Sequence, residues 1–253
     1  MRRFTLLPLV ATLCLPACRT SAPEAAQARE APVTAGVVVH GALREMMHQG
    51  RTASVVDVAQ AAGRRGSFAV GALADLAGEV TVVDGEAWLS YAEQDGTSRT
   101  VRTREPSAGA ALLVVGQLPE TPGMTLDEDI PLSALGDRIA ALAQAQGVDT
   151  TQPITFTVEG PLQALAWHVI DGRKLRSGAS HQEHASAGVQ EQRAQATGVL
   201  VGFYSTRHQG IFTHHDSDTH VHVVLPEENA SGHVDNVTVL RGARLRLPAP
   251  TAR

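Results

Sequence analysis

The residues best suited to chemistry are three histidines in the segment Thr219–Asn236. His220 and His222 lie two positions apart in a run of Val and Leu, and such side chains project from one face of a β-strand. His233 follows eleven residues later, after a loop long enough for a second strand to return beside the first. Three converging imidazoles are the usual protein ligands of a catalytic zinc site, whose fourth position stays open. The spacing predicts a metal site; a solvated pair at a strand edge is the alternative.

Further histidines surround this segment. His214 and His215 directly precede the predicted ligand strand. Either one could line the open side of the metal as a base or a fourth ligand, and an ordinary polar loop explains each of them equally well. His208 lies in the same loop before the predicted ligand strand, and this loop could line the open side of the metal. The other histidines outside the predicted site are expected to be structural, solvated or exposed: His40, His48, His181 and His184.

The composition places the chain among ordinary globular proteins. Its 253 residues are 43% hydrophobic and carry a net charge of -5, with no long run of one sign. Basic residues do not form a stripe and aromatic residues make up only 4%, so no nucleic-acid partner is predicted. The abundance of Val, Ala and Gly favours β-rich packing over a helical bundle.

The N-terminus has the pattern of an export signal. Two arginines precede the apolar run Phe4–Leu15, which is too short to span a membrane. A small residue before Cys18 resembles a bacterial lipoprotein cleavage box, so residues 1–18 are predicted to be a signal peptide. Cys18 would then carry a lipid anchor that holds the protein to a membrane, facing the periplasm or the cell exterior. Pro16 is unusual in such a box, and plain secretory cleavage is the alternative.

The mature chain is predicted to begin with a flexible tether over residues 19–32. Cys14 lies inside the signal and is the only cysteine besides Cys18. The mature domain therefore has no cysteine for a disulfide or for a thiolate metal ligand. An all-histidine metal site is consistent with export.

Hydrophobic periodicity predicts an α+β fold of two β-rich lobes, made of mixed or antiparallel sheet with a few short helices. The domain is expected to span residues 33–247, with lobes of roughly 33–150 and 151–247 and a tail over 248–253. The predicted helices are one around Leu43–Met47 ended by Gly50, a second that ends at Ala62 with Thr52 or Ser54 as its cap, and Pro131–Gln146. Glu159-Gly160-Pro161 is interpreted as a turn between two strands, and Ser177–Thr197 as a surface loop or a lid.

Several segments, in their order along the chain, resemble the bacterial α-acetolactate decarboxylase family. That family carries an H-x-H, a ten-residue gap and a third His in a G-G-H-V-type segment, which His220–His222 and Ser231–Val234 match. Its G-x-F-x-x-L-x-G-E segment and D-G-x-x-Y hairpin are similar to Gly71–Glu79 and Asp84–Trp88. Its G-T-L-V-G-F segment is similar to Thr197–Phe203. The resemblance covers nearly the whole mature chain.

The resemblance implies a zinc-dependent carboxy-lyase fold and activity. In that family the keto and hydroxyl oxygens of 2-acetolactate chelate one metal ion. Loss of CO₂ leaves an enediolate, whose charge the ion stabilises as a Lewis acid, and a positioned acid delivers a proton to give acetoin. By this resemblance His220, His222 and His233 bind Zn²⁺, and Glu79 matches the Gly-Glu carboxylate that serves in proton transfer.

Two positions depart from the family pattern. The family has an Arg on the strand after its E-G turn, and His168 stands at that position here. A neutral imidazole donates one hydrogen bond but lacks the permanent charge and the bidentate fork of Arg. Alternatively, His168 is a core residue beside Trp167, and Arg173 or Arg176 supplies the cation. The family's C-terminal Glu is also missing, since Asp235 is the only acidic residue after position 228.

Three hypotheses follow from the sequence. The first is a zinc-dependent decarboxylase of 2-acetolactate or a similar 2-hydroxy-3-keto acid, exported and lipid-anchored, with His168 as a second catalytic residue beside Glu79. The second is a related metalloenzyme with a different hydroxy-keto substrate. The third is a non-catalytic metal- or ligand-binding lipoprotein on the same scaffold. Another divalent metal in place of zinc and a homodimeric assembly both stay open.

Overall fold

The fold is that of a computed structural model, which describes residue 1, residues 36–174 and residues 186–250. Apart from residue 1, the expected signal peptide lies outside the described residues, as do the expected tether and Cys18, the residue expected to carry a lipid. So do Arg176, His181 and His184. No helix within the described ranges is both long and apolar enough to span a membrane.

The strands form two antiparallel sheets, which confirms the predicted α+β class with few helices. The first sheet contains β1 Val38–His40, β2 Val56–Asp57, β3 Ser67–Leu73, β4 Gly78–Val83, β5 Glu86–Ala92, β6 Ser98–Thr103 and β7 Gly109–Gln117. The second contains β8 Met124–Thr125, β9 Ile130–Pro131, β10 Ile154–Val169, β11 Val189–Tyr204, β12 Thr219–Leu225, β13 Ala230–Val239 and β14 Arg244–Arg246.

The first sheet has the strand order β1-β7-β3-β4-β5-β6, with β2 also pairing with β7. Its central hairpin joins β4 to β5 through Asp84 and Gly85, both of which have positive φ. Two successive positive φ values match the twist of the flanking strands, and the Asp-Gly pair tolerates them. The hairpin predicted at this pair is confirmed, and it fixes the register of β4.

Within the described ranges, the main α-helices are α1 Leu43–Gln49, α2 Val58–Ala62 and α3 Leu132–Ala145. The predicted end of α1 at Gly50 is confirmed, since this residue has the left-handed φ of 62° that glycine favours. The predicted cap of α2 is wrong. Asp57 is the cap and accepts a hydrogen bond from the Gln60 backbone N–H, because the preceding residues are committed to β2.

The segment Glu159-Gly160-Pro161 is not a turn. It lies inside the continuous strand β10 and pairs residue by residue with β11. Gly160 has a φ of 146°, and a Cβ there would lie 2.8 Å from the Ala243 Cα. The glycine therefore permits the close approach of the Ala243 backbone, directly before β14. The end of the predicted loop Ser177–Thr197 is also wrong, since residues 189–197 belong to β11. Polar side chains on both faces of this part of β11 conceal the strand period in the sequence.

The pairings of the second sheet close on themselves. β10 pairs with β11, β11 with β12, β12 with β13, and β13 again with β10. A register shift between Gln163 and Ala166 interrupts the pairing of β10 with β13, while β10 stays paired with β11 throughout, and Ala164 there has a φ of 49°. Such irregularities increase local twist and curvature. This closure brings the C-terminal half of β10 beside the second predicted ligand strand.

The two sheets pack face to face through an apolar layer. Phe68, Val70 and Leu112 contribute from the first sheet, and Val201 and Phe203 from the second. A separate hydrophobic cluster lies between the other face of the second sheet and α3. The helix contributes the buried residues Leu135, Ile139 and Ala143 to this cluster. The second sheet is therefore buried on both faces along much of its length.

We expect Gly202→Ala to destabilise the protein. A Cβ on Gly202 would lie 2.1 Å from Cζ of Phe156, which is fully buried. Overpacking of this kind costs roughly 1–3 kcal/mol, and thermal unfolding would show a lower Tm. Gly36→Ala is the control, because a Cβ there meets nothing within 4 Å. Equal Tm values for both variants would contradict the packing described here.

Candidate metal centre

The three predicted metal ligands converge on one face of the second sheet. His222 on β12 lies directly opposite His233 on β13, and His220 is two residues from His222 on the same strand. The Nε2 atoms of His220 and His222 are 3.2 Å apart. One ring nitrogen from each of the three imidazoles lies within 4.8 Å of the others. Ligand nitrogens around a tetrahedral zinc ion are separated by about 3.3 Å, so this donor set fits a metal ion.

The protonation state of these imidazoles suits metal binding. His220 and His222 are buried, and His233 is half-buried. Burial and the neighbouring histidines lower the pKa of His222 and of His233 well below the usual range. Imidazoles that stay neutral keep a lone pair on one ring nitrogen for a cation.

Thr81 on β4 fixes the orientation of His222 from the opposite sheet. Its Oγ1 lies 3.0 Å from the His222 Nδ1 and accepts a hydrogen bond of 2.9 Å from the Ser231 Oγ. If Nδ1–H donates to Thr81, the His222 Nε2 carries the lone pair, and this is the atom that lies next to His220. Such outer hydrogen bonds hold metal-binding imidazoles in one tautomer.

Glu79 lies beside the three histidines. It is two residues before Thr81 on β4 and therefore points to the same side. Its Oε2 is 3.8 Å from the His222 Nε2, and its Oε1 accepts a hydrogen bond of 3.3 Å from the Ile170 backbone N–H. Burial raises the pKa of Glu79 to about 7, against the opposing effects of His168 and the Ile170 N–H.

His168 also faces the metal-ligand cluster. It is the β10 residue opposite His233, and the two ring centroids are 4.9 Å apart. Its Nδ1 lies 2.8 Å and 2.9 Å from the two carboxylate oxygens of Asp235. Burial lowers the pKa of His168, but the hydrogen bond to Asp235 and the charge of Glu79 outweigh burial and raise that pKa overall.

The alternative cation, Arg173, is engaged elsewhere. Its guanidinium donates to the buried Asp171 carboxylate and to the Ala92 carbonyl. The residues that line the two cavities at the metal centre, as far as the chain is described, include neither Arg nor Lys. Among the described residues, His168 and not Arg173 faces the histidine cluster.

Sequence reasoning missed some members of this site. Thr81 could have been found from its i+2 relation to Glu79, and Asp235 from its i+2 relation to His233. Ser231 gave no comparable signal. Of the two histidines left open, His214 lines the site, with its ring centroid 5.4 Å from that of His233. His215 is exposed.

Two cavities meet at the metal centre. The inner one, of about 50 Å³, is bounded on its polar side by Glu79, His168, His214, His220 and His233. The outer one, of about 630 Å³, shares His214 and His233 with it and lies beside the start of α3. The shared histidines place the inner cavity at the end of a wider opening.

These features define a two-sheet α+β protein with a three-histidine site that could hold a metal ion. The model of the alpha-acetolactate decarboxylase family matches residues 40–249, and the chain belongs to this family. The divergence expected from the two altered positions agrees with low identity to solved relatives. Comparison of the sequence with curated proteins gave no match.

Solved structures share the fold. Alpha-acetolactate decarboxylase from Bacillus subtilis strain 168 is 16% identical with a TM-score of 0.65, over 84% of this chain and 85% of that one. Acetolactate decarboxylase from B. subtilis subspecies spizizenii is 15% identical with a TM-score of 0.67, over 84% and 85%. A Staphylococcus aureus protein of unknown function, similar to alpha-acetolactate decarboxylase, is 15% identical with a TM-score of 0.63, over 83% and 84%.

We expect Thr81→Val to weaken metal binding without unfolding the protein. The substitution removes the hydroxyl next to the His222 Nδ1, and loss of such an outer hydrogen bond typically lowers metal affinity by roughly 10–100-fold. Competition with a chromogenic chelator measures that affinity. Thr238→Val on β13 is the matched control. An unchanged zinc affinity in Thr81→Val would refute the orienting role.

Proposed function

We propose that this protein is a zinc-dependent carboxy-lyase that converts 2-acetolactate, or a closely similar 2-hydroxy-3-keto acid, to acetoin and CO₂. One observation carries the proposal: in a member of the alpha-acetolactate decarboxylase family, a buried carboxyl group adjoins a three-histidine cluster at the wall of a small cavity. That arrangement combines metal ligands, an acid and space for a small substrate.

His220, His222 and His233 would hold the metal. Three neutral nitrogen donors suit Zn²⁺ and leave coordination positions for the substrate. When bound, a divalent ion supplies Lewis acidity to the keto and hydroxyl oxygens of the substrate. The residues around it must then bind the substrate, exclude water and supply a proton.

Glu79 is the residue proposed to deliver that proton. Loss of CO₂ leaves an electron pair on the former carboxyl-bearing carbon, which takes up one proton to give the neutral hydroxyketone. A carboxyl group with a pKa of about 7 exchanges its proton near neutral pH, as an efficient general acid must. The Ile170 N–H holds the carboxyl at Oε1 and leaves Oε2 on the side of the histidines.

His168 is proposed to assist from the neighbouring strand. The Asp235 carboxylate accepts a hydrogen bond from Nδ1, which leaves Nε2 as the second donor of the protonated ring. That ring would supply one hydrogen bond and one positive charge to an oxygen of the substrate. An Arg would supply two hydrogen bonds and a permanent charge, so this site interacts with its substrate through fewer contacts.

We also propose export and a lipid anchor at Cys18, on the pattern of the N-terminal segment alone. The all-histidine donor set supports this placement, since it contains no thiolate that an oxidising compartment would modify. Globomycin treatment of producing cells distinguishes lipoprotein processing, which it blocks, from plain secretory cleavage.

The purified protein is expected to bind one zinc ion per chain and to release acetoin from 2-acetolactate. Removal of the metal with a chelator should abolish acetoin formation, and added zinc should restore it. His220→Ala and His233→Ala should lose both zinc and activity, because each removes one of three ligands. His48→Ala, at an exposed position on α1, is the control. Folded protein with stoichiometric zinc and no acetoin formation would eliminate the decarboxylase proposal.

Glu79→Gln is expected to retain zinc while acetoin formation falls by roughly 10²–10⁴-fold, the usual contribution of a positioned acid. The amide keeps the shape of the side chain but cannot donate an acidic proton. Metal content and steady-state rates are measured on the same preparation. Glu120→Gln, at an exposed position, serves as the control. Loss of zinc together with activity would instead assign Glu79 to metal binding.

A further inference from the structure

The inner cavity has an apolar half that the proposed chemistry does not use. Next to its histidines and Glu79, the cavity is lined by apolar residues of β3, of β7, of α1 and of the 3₁₀ turn Ala74–Leu76 that follows β3. The residues concerned are Leu43, Met46, Met47, Ala72, Leu76 and Leu112. A ligand held by the polar half must place its carbon substituents against this wall.

Ala72 forms a notch in that wall. It lies directly opposite Glu79 on β4 and directly opposite Leu112 on β7. Residues paired in this way project from the same face of a sheet. The three side chains therefore form a row in which a methyl group stands between a carboxyl group and a larger alkyl group. Ala72 is buried, so a larger side chain at this position would project into the cavity beside the acid.

Helix α1 forms the roof over the notch. Leu43, Met46 and Met47 lie at i, i+3 and i+4, which places them on one side of the helix. The backbone N–H groups of Leu43 and Arg44 donate to the carbonyls of Ile211 and Gly210 at 2.8 Å each. These bonds hold the start of the helix against the turn that leads to His214. The flexible thioethers of the methionines fill irregular space closely.

We propose that Ala72 and the methionines of α1 determine which alkyl substituents the substrate can carry. The cavity of about 50 Å³ is about a third of the 150 Å³ that admits benzene in an engineered apolar cavity. It therefore accommodates a methyl group beside the carbon that reacts, admits ethyl poorly and excludes longer chains. This inference rests on the proposed function in one respect only, namely that the polar half of the cavity holds the hydroxy-acid part of the substrate.

The test compares homologous 2-hydroxy-3-keto acids that carry methyl, ethyl or propyl at C2. In the wild-type protein kcat/KM should fall along this series. Ala72→Val should lower the ethyl-to-methyl ratio of kcat/KM by about tenfold or more, the usual effect of one methylene in a hydrophobic pocket. Met47→Ala should raise that ratio by a similar factor, because it removes part of the roof. The two variants therefore have opposite expected signs.

Matched controls separate the cavity from general packing effects. Ala196→Val on β11 and Met124→Ala on β8 make the same substitutions at half-buried positions outside the inner cavity, and they should leave the ratio unchanged. Thermal unfolding of every variant shows whether it is folded. If Ala72→Val does not fold, Met47→Ala still tests the proposal.

A second measurement does not depend on turnover. The corresponding 2,3-dihydroxy acids lack the keto group and cannot lose CO₂, so calorimetry on the zinc-loaded protein measures their binding alone. The dihydroxy acids should bind in the same order of substituents, and the two variants should shift that order in opposite directions. This result would support selection by substituent size even if no acetoin formed. In that case only the decarboxylase proposal fails. If neither variant changes the ethyl-to-methyl ratio in turnover or in binding, the proposal that Ala72 and the methionines select substituents by size is overturned. Failure of all three dihydroxy acids to bind would overturn it as well.

Discussion

The register between β10, β12 and β13 is the constraint on which the three-histidine cluster depends. It places His222, His233 and His168 in one row across three neighbouring strands. Because side chains alternate along a strand, a slip of one residue in either pairing would turn a ligand to the opposite face. The apolar layers on both sides of the second sheet oppose such a slip, since it would expose buried residues and bury exposed ones.

The first sheet supplies the residues of the site that the second sheet does not contain. It supplies no imidazole to the cluster, but it supplies the acid, the hydroxyl that orients His222 and the small residue beside the acid. All three come from one hairpin, β3 and β4, whose register is set by adjacent strands and short turns. The site is therefore an interface between two layers, and the hydrogen bond between Thr81 and His222 joins the layers at the ligands themselves.

Much of this arrangement was predictable from local sequence signals. The spacing of His220, His222 and His233 predicted their convergence, and Asp84-Gly85 predicted the hairpin that carries Glu79. Their chemical roles stay predictions. The partnership of His168 with Asp235 was not accessible, because it joins residues 67 positions apart through a register that local patterns do not specify. Gly160-Pro161 was misread as a turn for a related reason: the close packing of Gly160 against Ala243 is a tertiary contact that overrides the usual preference of these residues.

The closed pairing of β10, β11, β12 and β13 has a consequence for how a metal would bind. Both ligand strands are hydrogen-bonded on two sides by other strands of the same closed set. The backbone loses its conformational entropy when the chain folds, and the imidazoles are brought together in that step. A metal ion that binds afterwards therefore does not have to order the backbone. A zinc finger, in contrast, orders its chain with the free energy of metal binding. In this protein the imidazoles would therefore already be in place before a metal ion binds, and a bound ion would add stability only through its preference for the folded state.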